Sequence, residues 1–134
     1  MDNPEDITES QQSIEDIVSE DGRYTLDAFS FLHKALNEAV EKYHPDPADA
    51  RKHVTGRQLC LTIVELARRQ WGLMAPAVFH SWNVHESLDF GHMVYLMIEH
   101  HYMRKTEEDR LDDFRDVFDM ETAFDITDEI HLAE

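Results

Sequence analysis

One stretch near the middle of the chain most constrains its fold: VTGRQLCLTIVELARRQWG, from Val54 to Gly72. Thr55 followed by Gln58 is typical of a capping box, in which each side chain bonds a backbone N–H that the first helical turn leaves unpaired. A helix so apolar is expected in the middle of a bundle. The apolar residues that predict it recur at helical spacing and widen around the helix: Leu59, Cys60, Ile63, Val64, Leu66, Ala67 and Trp71.

Other segments of the chain carry the same kind of pattern. Apolar residues at helical spacing, with start or stop signals, predict helices over 25–44, 75–82 and 87–103, and a last helix that starts at Thr106. Gly91 lies inside the third of these, where glycine costs about 1 kcal/mol against alanine, so another backbone is expected to cross close by. Without any convincing alternating strand pattern, we predict an all-α fold: a single compact bundle of about five helices.

The charge of the chain is unevenly distributed. The formal net charge is -17, and the acidic residues concentrate at the two ends, leaving the middle close to neutral. We predict three regions: an acidic flexible N-terminal segment over 1–22, a helical domain over 23–126 and an acidic C-terminal tail over 127–134. The termini are expected to be partly disordered, because they hold few apolar groups to offset the entropy of ordering.

An alternative remains open for the N-terminal segment. Thr8 could cap a short helix with Ile14, Ile17 and Val18 on one side, formed only when it docks on the rest of the protein. The acidic ends could also dock on a basic surface of a partner protein.

Composition also limits the possible partners and the compartment. A near-neutral body with acidic ends lacks the basic footprint that nucleic acid requires, so we predict no nucleic-acid partner. No apolar run of about 18 residues is present, which predicts no membrane partner. Cys60 is the only cysteine and lies in an apolar helical run, so a buried, inert thiol is expected. This usage suits a reducing cytoplasm, and we predict a cytoplasmic protein.

The helix predicted over 87–103 indicates a function in protein binding. Phe90, Val94, Met97 and His101 cluster on one side of it, whereas Tyr95, Leu96 and Met103 point away from that side. The helix is therefore either packed between neighbours or exposes an apolar strip to another chain. The first hypothesis is a non-catalytic helical protein-interaction or regulatory module, which binds another protein or itself. Its predicted partner-binding residues are Tyr95, Leu96, Met103 and Trp82.

The connection around residues 72–74 has two interpretations. Trp71 and Trp82 bracket a region that contains Leu73 and Met74. Such residues near helices are usually part of a core, but if the connection is exposed they become anchors for a partner.

Histidine density supports a competing hypothesis. His80, His85, His92, His100 and His101 fall within 22 residues. A small metal-dependent enzyme could use this His/Glu cluster between His80 and His101, with His85, His92 and Glu99 as weak candidate ligands. Ligands two helical turns apart are about 10 Å apart, too far for one ion. We therefore predict neither a metal site nor a cofactor. Instead, His101 is expected to be a hydrogen-bonded core residue, and the histidines could make association depend on pH.

Several strings, taken in order, resemble a known family. They are HVTGRQL, ARRQWGLMAP from Ala67 to Pro76, DFG from Asp89 to Gly91, and KTEED followed by VFDMETAFD between Lys105 and Asp125. The chain is similar, over roughly residues 24–125, to a family of short acidic hypothetical proteins from bacterial genomes. That family has no established activity, so the resemblance implies no site residues. Kinase chemistry does not follow from DFG, because the other kinase motifs are missing from the sequence.

Overall fold

The computed structural model describes residues 1, 12–49 and 52–125. Within these ranges the chain forms five α-helices of seven or more residues and one single-turn helix, without a β-strand, so the predicted all-α bundle is confirmed. None of these helices is both long enough and apolar enough for a membrane crossing. The helices are α1 (Ile14–Asp21), α2 (Leu26–Tyr43), α3 (Gly56–Trp71), α4 (Ala75–Ser81), α5 (Ser87–Glu99) and the single turn α6 (Met120–Ala123); 3₁₀ turns cover Gly72–Met74 and Leu111–Phe114.

Helix α3 contacts more of the other elements than any other helix. Its predicted capping box is present: the Gln58 N–H donates to Thr55 Oγ1 at 3.1 Å, and the Thr55 N–H donates to Gln58 Oε1 at 3.0 Å. The helix packs against α2, α4, α5 and the 3₁₀ turn over 111–114. Cys60 is fully buried, and burial raises the pKa of its thiol to about 12, as expected for an inert cysteine.

Part of the N-terminal region forms a helix packed on the domain. The side chain of Ser13 caps α1 by accepting the Asp16 N–H at 3.1 Å, and Ile17 and Val18 are buried. This agrees with the alternative prediction of a short helix docked on the rest of the protein, except that its cap is Ser13. Thr8, the predicted cap, lies outside the described residues, as does the predicted acidic tail over 127–134.

Helix α5 begins at Ser87, with Glu86 as its cap, and ends earlier than predicted. The carboxylate of Asp89 holds its start, since Oδ2 accepts the N–H of Glu86 at 3.1 Å and Oδ1 accepts the Tyr24 hydroxyl at 2.7 Å. The prediction that the helix continues to residue 103 is wrong. It ends at Glu99, and His101 adopts a left-handed conformation with φ 66° that reverses the chain.

The helix predicted from Thr106 is also wrong over most of its length. Residues 106–119 form a loop that contains one 3₁₀ turn. The hydroxyl of Ser87 pairs with two backbone groups of this loop. It donates to the Phe114 carbonyl at 2.6 Å and accepts the Val117 N–H at 3.1 Å. These side-chain bonds replace helical ones and hold the loop against α5.

Phe114 lies between two helices at their glycines. It is fully buried. A Cβ added to Gly91 would lie 2.8 Å from Cβ and Cγ of Phe114, and one added to Gly56 would lie 2.9 Å from its Cε2. Both distances are too short for a side chain. Gly91 therefore marks a close approach, but the side chain of Phe114 makes it and not the backbone that was predicted; Gly56 of α3 is a second contact of the same kind.

Candidate protein-binding groove

Side chains of α1, α2 and the end of α5 line an open groove of about 430 Å³. The volume is within the range of sites that hold a small ligand or a few side chains of a partner. The apolar part of the lining consists of Ile14, Leu26, Phe29, Leu32, Met97 and Met103.

Helix α2 lines the groove with residues from one of its sides. Leu26, Phe29, His33 and Asn37 follow one another at spacings of three and four, which places them on the same side of the helix. This side lies next to the one that packs in the core. Leu26, the first residue of the helix, keeps 41% of its surface exposed. The groove therefore offers apolar surface to the solvent.

Met97 and Met103 meet because the chain turns back after α5. The N–H groups of Tyr102 and Met103 both donate to the Met97 carbonyl, at 2.8 and 3.2 Å. The Tyr102 hydroxyl donates to the Gln12 carbonyl at 2.5 Å, just before the start of α1. One turn thus places both methionines in the lining and fixes the end of α1 that carries Ile14. Unbranched thioether side chains adapt readily to the shape of a partner.

The charge of the groove differs from that of the chain. The polar lining residues are Ser30, His33, Lys34 and Asn37, and no carboxylate lines the groove among the described residues. The whole chain nevertheless has 29 acidic residues against 12 basic ones. Lys34 is exposed and forms no ion pair within the described part of the chain. The groove is thus an apolar surface with a cation beside it on an acidic protein.

The residues predicted to bind a partner do not form an exposed strip, and α5 has the other arrangement that the sequence allowed, packed between neighbours. Leu96 and Trp82 are 8% and 9% exposed, and Met103 is 2% exposed. Leu96 is covered by the core, and Trp82 packs against the rings of Phe31, Trp71 and Phe79. The early end of α5 explains the burial of Met103, because the chain folds back and brings that residue toward Met97. Of the four predicted residues, only Met103 lines the groove.

Tyr95, the fourth of them, is half-buried. Its hydroxyl is shielded from solvent and has no hydrogen-bond partner among the described residues. Burial raises the pKa of Tyr95, and the nearby carboxylates of Asp109 and Asp113 raise it further. The side chain belongs to the packing between α5 and the 106–119 loop.

The candidate metal ligands do not converge on one point. Glu99 is the exposed last residue of α5, two turns after His92, and His85 precedes the helix. In the part of the chain that the structure describes, no three His, Cys, Asp or Glu side chains form a group that could hold a metal ion. His101 is exposed, so its predicted place in the core is wrong, because the turn after α5 carries it outward.

A partly buried polar cluster was not predicted from the sequence. Asp109, in the segment that the sequence predicted as a helix from Thr106, is 7% exposed. Its Oδ1 lies 3.1 Å from Nε2 of His53, and its Oδ2 accepts the Thr106 N–H at 2.9 Å. The amino group of Met1 lies 2.8 Å from His53 Nδ1 and also contacts the Val54 carbonyl. His53 and Asp109 are 56 residues apart, so no local spacing indicates the cluster, which joins the 106–110 loop to the start of α3.

The connection between α3 and α4 is exposed. Leu73 and Met74 retain 51% and 63% of their surface, whereas Trp71 packs against Phe31. The sequence predicted that Leu73 and Met74 become anchors for a partner if this connection is exposed, and it is exposed.

No protein-family model, curated protein or solved structure matches this chain. The resemblance inferred from the sequence stays a prediction, and a functional proposal rests on the geometry of the chain itself.

Proposed function

We propose that this chain is a non-catalytic helical protein-interaction module, which binds an apolar, acidic segment of another protein in the groove lined by α1, α2 and the end of α5. The supporting observation is the lining itself: six apolar side chains, one lysine and, among the described residues, no carboxylate. Cytoplasmic action is part of this proposal, because a single buried cysteine suits a reducing compartment.

The shape of the groove favours a segment of a protein as its ligand. Amphipathic helices bind other proteins by placing apolar side chains, three or four residues apart, into open grooves of this kind. Leu26 offers contact at the surface, while Met97 and Met103 lie deeper and can change rotamer around an incoming side chain. Burial of one large apolar side chain of the partner contributes about 1.5–3 kcal/mol.

The charge of the groove favours an acidic ligand. Lys34 can pair with a carboxylate at the edge of the partner's apolar face. A basic segment would instead place its charges next to Lys34, and the described lining residues offer it no carboxylate. Rim charges act mainly on selectivity and on the association rate. Lys34 therefore selects the partner, and the apolar lining supplies most of the affinity.

Capture followed by mapping tests the proposal. The intact chain and three variants, Leu26→Glu, Lys34→Glu and Leu61→Glu, are immobilised and exposed to a lysate of the source cells. Leu61 is the matched control, since it is 37% exposed on α3 against 41% for Leu26 and does not line the groove. We expect a protein that binds the wild type and Leu61→Glu equally, at least about tenfold less to Leu26→Glu, and less to Lys34→Glu, most clearly at low salt.

The binding segment of that protein is then added to chain labelled at its methionine methyl groups. The six methionines include Met97 and Met103 in the groove, exposed Met74, and Met93 in the core. The methyl signals of Met97 and Met103 should shift saturably, while that of Met74 stays unchanged. Equal retention by all four chains, or a shift at Met74 without one at Met97 and Met103, contradicts the proposal.

A further inference from the structure

The turn after α4 brings two histidines together. Asn83 adopts the left-handed conformation with φ 64°, and its N–H donates to the His80 carbonyl at 3.0 Å. The N–H of Val84 donates to the Phe79 carbonyl at 2.9 Å, which completes a Schellman motif. The chain therefore reverses directly after the helix, and the rings of His80 and His85 lie with their centroids 4.5 Å apart, at 78° to one another.

The tautomer of His85 follows from its neighbours. Nδ2 of Asn83 donates to the Arg23 carbonyl at 2.9 Å, which fixes the orientation of the amide and makes Oδ1 an acceptor. Nε2 of His85 lies 3.0 Å from that Oδ1, so it carries the hydrogen. The lone pair of the neutral ring is then on Nδ1. A ligating histidine whose other N–H is held by a fixed acceptor is the usual arrangement at protein metal sites.

We propose that His80 and His85 form a two-imidazole site for a late first-row divalent metal ion, with Cu²⁺ bound most tightly. Both side chains are exposed, and within the described residues Nδ1 of His85 and both ring nitrogens of His80 have no hydrogen-bond partner. The site therefore gains ligands without breaking existing bonds. Water or a small oxygen or nitrogen ligand fills the remaining coordination positions.

The spacing of the rings fits two ligands in adjacent positions on one ion. With metal–nitrogen bonds of about 2.0 Å, each ring centroid lies about 3.2 Å from the metal, so ligands at a right angle have centroids about 4.5 Å apart. The observed separation is 4.5 Å. Tetragonal coordination with nitrogen ligands is typical of Cu²⁺ and Ni²⁺, and affinity for a given nitrogen site rises toward copper along the first row. The site is separate from the groove, which contains neither histidine.

Metal titration of the intact, untagged chain tests the proposal. CuCl₂ is added in the presence of glycine as a weak competitor, and binding is followed by calorimetry and electron paramagnetic resonance. We expect one equivalent of Cu²⁺ with hyperfine splitting from two imidazole nitrogens. His80→Gln and His85→Gln should each weaken binding at least about tenfold and remove the two-nitrogen signature.

Two further variants distinguish Cu²⁺ binding at this site from Cu²⁺ binding elsewhere on the chain. Asn83→Gly keeps the left-handed backbone but removes the acceptor for His85 Nε2, and should weaken Cu²⁺ binding about tenfold. His92→Gln, which changes a histidine of the sequence-predicted cluster, should leave binding unchanged. Selective paramagnetic broadening of the His80 and His85 ring signals in the wild type gives the same answer without any variant. Equal affinity in wild type, His80→Gln and His85→Gln, or an equal loss in His92→Gln, overturns the proposal.

Discussion

The two ends of α5 are packed in different ways. At its first end, Gly91 lets the ring of Phe114 approach the helix backbone, and the hydroxyl of Ser87 holds the backbone of the same loop. At its last end, Met97 and Met103 border an open groove. One end is thus filled without spare space, while the other keeps space that a partner could occupy.

This difference separates stability from binding within one helix. Closely packed interiors respond strongly to any change of volume, because neighbouring atoms cannot move freely. Side chains that border an open groove can move into the solvent or change rotamer. Substitutions near Phe114 should therefore affect unfolding, and substitutions of exposed groove residues should affect binding and leave the fold intact.

The largest effect is expected for Phe114→Ala. The change removes a fully buried ring from between Gly56 and Gly91 and leaves a cavity, so the free energy of unfolding should fall by about 3–5 kcal/mol. Urea denaturation followed by circular dichroism measures it. Phe118→Ala is the matched control, because Phe118 is only partly buried and should cost less. Equal losses in the two variants would show that the glycine contacts add nothing.

The second largest effect is expected for Gly91→Ala, which should lower the free energy of unfolding by about 1–3 kcal/mol because the site becomes overpacked. Helix propensity alone predicts the opposite sign, a gain of about 1 kcal/mol, so the sign of the change is decisive. The new Cβ would lie 2.8 Å from Phe114. In a Gly91→Ala, Phe114→Ala double variant, the two losses should be less than additive. An increase in stability on Gly91→Ala would mean that the loop is not tightly packed there.

Tyr24→Phe should lower the free energy of unfolding by about 1.5 kcal/mol at pH 8. The change removes a hydrogen bond to a charged acceptor, the Asp89 carboxylate at the start of α5. Burial and that hydrogen bond raise the pKa of Tyr24 in the folded chain. A raised pKa gives stability that is complete below about pH 10, the ordinary tyrosine value, and is lost as the pH rises above it. Urea denaturation at pH 8 and about pH 11 should show that the wild type exceeds Tyr24→Phe in free energy of unfolding by less at the higher pH. A difference between the two chains that does not change with pH would contradict this.

The smallest effect is expected for Leu26→Glu at the groove. Leu26 is 41% exposed, so the free energy of unfolding should remain within about 0.5 kcal/mol of wild type, like that of Leu61→Glu. The same denaturation series measures both. A loss comparable with that of Gly91→Ala would mean that the groove is part of the stabilising core, and the contrast between the two ends of α5 would disappear.

Local signals in the sequence predicted the regular elements well. The Thr55 and Gln58 capping box and the extent of α2 depend on residues near one another in the chain. Gly91 does mark a close approach, but by the side chain of Phe114 and not by a backbone. The loop from 106 to 119 was mistaken for a helix because its apolar residues have helical spacing. Ser87, far away in the chain, supplies the competing hydrogen bonds.

The groove could be predicted only in part. Met103 was among the predicted partner-binding residues, but on the assumption that α5 continues through it. The left-handed turn at His101 carries no glycine and so gives no warning in the sequence. Leu26 and Lys34 were not predicted, because α2 reads as an ordinary amphipathic helix and the groove depends on how α1 and the end of α5 lie beside it.

The position of Phe114 has a consequence for the order of folding. Gly56 and Gly91 are synthesised before the aromatic ring that covers both of them. Without that ring, the space that it fills between the glycines of α3 and α5 is open. Sealing of this part of the interior therefore has to wait for that phenylalanine, and a purified chain truncated before it should be more sensitive to proteases than the intact chain.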